Sequence, residues 1–196
     1  MRAQAERYLV EFGRRQTTHP MSTVVDAGSP SDAIVREATT TDLVVMGTHG
    51  RHGPKHWWLG SVAERVLREI HRPLLIVRAD TPGPVDAVFS RVLVHAAPPL
   101  VGDGALDYAR HLTACFSGEV LDGRGQAIEP AVAAAEATLL VVAAPLPRTA
   151  GWLSQCGDSL VRFCTIPILF VPEVISGARG GQPSQLPTPN ARRHDT

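Results

Sequence analysis

Residues 42–78, DLVVMGTHGRHGPKHWWLGSVAERVLREIHRPLLIVR, constrain this chain more than any other stretch. Leu43-Val44-Val45-Met46 is a short apolar run rich in β-branched residues. It predicts a strand buried on both faces, as in a parallel sheet. A glycine-rich loop follows, with Gly47, Gly50 and Gly53 and Pro54 behind them. Ser61 with Glu64 three positions later forms a capping box, which predicts a helix from there to His71. Pro73 stops that helix, and Leu74-Leu75-Ile76-Val77 predicts a second buried strand. Strand, glycine loop, helix and strand make one right-handed parallel crossover.

The chemistry of such a loop points to phosphate. Glycines let backbone N–H groups approach an anion with no Cβ in the way. Gly60-Ser61 adds free N–H groups and the positive end of a helix dipole. The rival reading is a glycine-rich turn with an ordinary N-cap, and spacing alone leaves the two level. The loop's other polar groups divide in the same way. Arg51 directly follows Gly50 and is read as neutralising phosphate, whereas Lys55 reads as a solvated charge. His49, His52 and His56 have no cysteine or carboxylate at a matching offset, so they are read as loop residues and not as metal ligands. Trp57-Trp58 reads as a packing wedge ahead of the helix.

Gly47-x2-Gly50-x9-Gly60-Ser61 resembles the nucleotide loop of the universal stress protein (UspA) family. The flanking "DLVVMGTHGR", "LGSVAERVLR" and "RPLLIVR" are similar to that family as well, as is "VVDAGSPSDAIVREA" upstream. The resemblance is close over residues 22–78 and fainter elsewhere. It implies a Rossmann-like, adenine nucleotide alpha hydrolase-like α/β fold with parallel doubly wound sheets. It implies ATP, with Mg, or a related adenine nucleotide as the ligand. The candidate binding residues are Met46, Gly47, Gly50, Arg51, Gly60, Ser61 and Val62. The resemblance further implies a role in stress response and dimerisation through last strands. The partners expected are therefore an adenine nucleotide and either a second copy or an intrachain equivalent of that dimer. A non-nucleotide-binding scaffold of the same family is the alternative.

The remainder of the chain reads as follows. Ala5, Tyr8, Leu9 and Phe12 give residues 2–16 an amphipathic helix. Residues 22–27, STVVDA, predict a strand. Ser29 as N-cap, Pro30 in first helical position and Asp32 in the first turn predict the next helix. The strand, helix and strand that open a domain of the resembled family, with an acidic ligand residue on the first, have no counterpart ahead of this. Without them STVVDA cannot pair as it does in the family, unless the second half supplies the missing strands.

Residues 79–90 read as a Pro/Gly linker. A second unit then repeats the first. "LLVVAAPLPR…WLSQCGDSLVRFCTIPILFV" parallels "LVVMGTHGR…WLGSVAERVLREIHRPLLIV". Ala144 and Pro147 stand opposite Gly47 and Gly50, so the phosphate-loop chemistry is lost there. His95 and Ala96 fall near where the family's acidic residue belongs. The expected organisation is a truncated first domain over 1–80, a linker over 81–90, a degenerate second domain over 91–172 and a disordered tail over 173–196.

Composition excludes other classes. Formal net charge is zero, which argues against nucleic-acid or membrane-surface binding. Three scattered cysteines without a CxxC pair read as buried reduced thiols in a cytoplasmic protein. No nucleophile elbow, HExxH or P-loop lysine is present, so the expectation is a binding protein and not an enzyme.

Overall fold

The computed structural model describes residues 2–47, 60–77, 81, 85–98, 100–146, 148, 150–152, 160 and 164–174. The helices are α1 (Arg2–Gln16), α2 (Pro30–Glu37), α3 (Ser61–Glu69), α4 (Val85–Val88), α5 (Asp103–Ala114) and α6 (Ile128–Ala135), with a helical turn at Ala150–Trp152. The strands are β1 (Val44–Gly47), β2 (Leu74–Val77), β3 (Arg91–His95), β4 (Glu119–Asp122), β5 (Leu139–Leu146) and β6 (Ile168–Val174). They form one six-stranded sheet in the order β1-β2-β6-β5-β3-β4.

Local chemistry explains most of these elements. Ser29 caps α2 through its hydroxyl, which accepts from the Asp32 N–H at 3.5 Å, and Pro30 opens the helix with no N–H to satisfy. Pro130 sits in the first turn of α6, where its missing donor costs nothing. The strands alternate their apolar side chains between two cores. Leu74, Ile76, Leu93, Leu140, Val142, Ile168 and Phe170 face one core with α3 and α6, and α2 packs against it. Leu75, Val92, Val94, Leu139, Val141, Leu169 and Val171 face the other with α5. Helices on both faces make the sheet doubly wound. Trp152 meets Phe170 edge-on, with ring centroids 6.0 Å apart, as a packing residue would.

Four neighbouring pairs are parallel: β1–β2, β3–β4, β3–β5 and β5–β6. The fifth, β2–β6, is antiparallel, with Leu75 opposite Leu169. That pair joins β1 and β2 to the rest of the sheet.

The structure corrects several expectations. β1 is not buried on both faces, because it is an edge strand and Val45 is 59% exposed. Residues 22–27 form no strand; the segment has no ladder partner, and without one β-propensity alone does not make a strand. Ser61 is the first residue of α3 and not its N-cap. Gly60 holds the cap position with no side-chain cap bond, and Glu64 pairs with Arg68 at 2.8 Å, one turn on. Within the span read as a linker, Val85–Val88 makes a helical turn. Cys115 is exposed, while Cys164 is buried. β6 continues past Pro172 to Val174 and carries Glu173 into the fold. No helix among the described residues is long and apolar enough to cross a membrane.

Candidate functional site

The site begins where β1 ends. Met46 and Gly47 pair with Ile76 and Val77 of β2 in parallel register, so the chain leaves the sheet at the carboxyl end of β1. Ligands of parallel α/β sheets sit at that end. α3 returns the chain antiparallel to these strands and so points its N-terminus at the same end.

Two half-buried side chains fix this junction. Met46 from β1 and Val62 from α3 both pack against the core that holds Ala63, Val66 and Leu67. Arg65 bridges α3 to Asp32 of α2 at 2.9 Å. Hydrogen bonding to Glu69, then attraction to Asp32, raises the Arg65 pKa above its ordinary value. With the helix held in this way, Gly60 and Ser61 stand exposed at its start. The Gly60 carbonyl accepts the Glu64 N–H at 2.9 Å, which begins the helical ladder. Among the described residues no side chain caps this end. The first N–H groups of the helix therefore face outward with the positive end of its dipole. Gly47 adds open space: a Cβ built there meets no atom within 4 Å.

Of the sequence-predicted residues, Met46, Gly47, Gly60, Ser61 and Val62 come to this one junction of strand end and helix start. Gly50 and Arg51 lie outside the described residues, as do His49, His52, Lys55, His56, Trp57 and Trp58. No group of three metal-ligating side chains occurs among the described residues.

Two residues with no marked role in the sequence shape the frame around the site. Arg148 is 7% exposed. Its Nη1 donates to the Leu67 carbonyl at 2.6 Å and to the Ile70 carbonyl, at the far end of α3. A cation there complements the negative end of the helix dipole. Burial pulls the Arg148 pKa down to about 10. Glu173 accepts from the Gly102 N–H at 3.1 Å and the Ala105 N–H at 2.8 Å, at the start of α5. The second half thus fills one of its own helix N-termini with a carboxylate, whereas no described side chain fills that of α3. Neither contact has a local sequence signal, since each spans at least 68 residues.

Residues 1–78 match the model of the universal stress protein family. A universal stress protein from Methanocaldococcus jannaschii is 47% identical over 53 residues, covering 26% of this chain and 31% of that protein. One from Mycobacterium tuberculosis strain H37Rv is 36% identical over 74 residues, covering 38% of this chain and 25% of that protein. The chain thus spans about a third or less of these relatives. The crystal structure of a universal stress protein from Archaeoglobus fulgidus superposes with a TM-score of 0.71 at 21% identity, over 87% of this chain and 78% of that one. That likeness concerns the fold and extends well past residue 78. Over residues 1–78 the chain is therefore similar to the universal stress protein family, and its fold is like that of a member of that family.

Proposed function

We propose that the chain binds ATP or a related adenine nucleotide at the junction of β1 and α3, in a stress-related role. One observation carries the reading: Gly47 and the uncapped Gly60-Ser61 helix start lie exposed at the same end of one parallel crossover. The phosphates accept N–H bonds from the start of α3, and Gly47 lets the backbone come close. Gly50 and Arg51 of the intervening loop complete the phosphate contacts. Mg accompanies the nucleotide through its phosphate oxygens. No acid, base or nucleophile has a role in this reading, so bound nucleotide is returned unchanged.

Calorimetric titration of the full chain with ATP and Mg tests the proposal. One nucleotide bound per chain is expected, because only the first half keeps the glycine and serine positions. No heat of binding, or two nucleotides per chain, contradicts it. The second reading is a non-binding scaffold. It draws on the open outer edge of β1, which leaves the site walled on one side only. An absence of binding in a cooperatively folded chain favours it.

A further inference from the structure

Arg148 is the one buried residue of fixed charge among the described residues. It follows β5 and reaches the last turn of α3, where Nη1 donates to the carbonyl of Leu67, at 2.6 Å, and to that of Ile70. Its other two nitrogens, Nε and Nη2, are buried and have no hydrogen-bond partner among the described residues. No carboxylate among those residues offsets the charge, and burial is what lowers its pKa. Arg65, Arg68, Arg91 and Arg124, by contrast, each pair with a carboxylate and keep a quarter or more of the side chain exposed.

A guanidinium taken out of water with two donors unmet is costly, and an apolar side chain of similar length avoids that cost. A local choice that works against stability is the mark of a functional position.

The place of Arg148 in the fold says which function. α3 is a rod of nine residues, about 13 Å long, with Arg148 at one end and Gly60-Ser61 at the other. Few directional contacts fix where that rod lies on the sheet. β2, which follows it, meets β6 through only three residue pairs. Val66 and Leu67 of α3 pack in the core with Leu140 and Phe170, but apolar packing is non-directional. The ion pair of Arg65 with Asp32 is half exposed on both sides and contributes little. The two bonds from Arg148 are directional. They start from chain that the sheet holds, since Leu146 is paired with Val174 at the end of β5.

We infer that Arg148 is a positioning residue for the nucleotide site: by fixing the last turn of α3 to the end of β5, it holds the first turn of α3 beside the end of β1. The inference rests on the nucleotide reading proposed above. It adds that the second half sets the affinity of a site built from the first half. Ligand and arginine then act on opposite ends of one helix, which couples them.

Calorimetric titration of ATP and Mg into wild type, Arg148→Met and Arg148→Lys tests this, each variant assayed where its urea curve shows the full chain folded. A folded chain that has lost only stability keeps its affinity, so a purely structural role leaves ATP binding unchanged. Arg148→Met removes both bonds to α3 and is expected to weaken ATP binding about fivefold, at the low end for coupling between distant sites. Arg148→Lys keeps a cation able to donate to both carbonyls and is expected to bind within about twofold of the wild type. Should Arg148→Met fail to fold, Arg148→Gln takes its place with the same expectation, because it keeps a donor and loses the charge. Unchanged affinity in a folded Met or Gln variant overturns the inference and leaves the nucleotide reading standing. So does a lysine variant as weak as the methionine one. A folded wild type that binds no ATP overturns both.

Discussion

Two closely packed positions in the second half carry sharp consequences. Gly118 lies under the chain turn at Phe89, and a Cβ built on it would fall 1.9 Å from the Phe89 carbonyl oxygen. The obstacle is backbone and cannot swing aside. Gly118→Ala should therefore cost about 3 kcal/mol, read as a lower urea midpoint at unchanged slope. A midpoint equal to that of the wild type contradicts this packing. His95 is 7% exposed at the end of β3, and its Nδ1 has no hydrogen-bond partner. Burial pushes its pKa below the ordinary 6.5, against a smaller opposing effect from the Gly123 backbone. The unfolded chain therefore takes up a proton near pH 6.5 that the folded chain resists. The stability this gives is complete above that pH and declines as pH falls below it. The thermal midpoint should drop between about pH 7.5 and pH 5.5, and His95→Leu should flatten part of that drop. An identical pH slope in the variant would show that His95 titrates alike in both states.

At the scale of elements, the testable contact is Glu173 on α5. Its carboxylate takes two N–H groups that would otherwise be orphaned at the helix start. Glu173→Ala should destabilise the chain by about 1 kcal/mol and speed amide exchange at Gly102 and Ala105. Unchanged exchange at both amides would contradict the cap. This element also shows what the sequence could and could not convey. Ser29-Pro30, the apolar runs of β2, β3, β5 and β6, and the amphipathic spacing of α1 are local signals, and the structure realises each of them. The composition after Glu173 pointed to chain with little to bury, yet Glu173 is held by residues 68 and 71 positions away. Residues 22–27 mislead for the opposite reason. Their alternation is that of a strand, but a strand exists only with a neighbour. β1 likewise reads as a buried run, because apolar composition does not say how many strands flank it. The candidate site was legible to the extent that it is local. Gly47 closes a strand and Gly60-Ser61 opens a helix, as the spacing required, although the cap is Gly60 and not Ser61.

At the scale of the whole molecule, one sheet joins two unequal parts. β1 and β2 carry the open helix start, and β3 to β6 supply most of the buried core. The antiparallel β2–β6 pair and the Arg148 contact with the end of α3 tie the first part to the second. In this account the second part is a platform. It holds α3 from its far end and fills the start of its own α5 with Glu173.

In the proposed function the start of α3 takes nucleotide phosphates. The most direct test is the thermal midpoint with and without ATP and Mg, in the wild type and in Ser61→Glu. A carboxylate at that position suits the helix dipole but repels phosphate, so the variant should stay folded and lose only the ligand response. ATP at about 100 times its dissociation constant should stabilise the wild type by about 2.7 kcal/mol, a rise of several degrees, and should leave Ser61→Glu unmoved. A wild-type midpoint indifferent to ATP, or an equal rise in the variant, would contradict a nucleotide site at the start of α3.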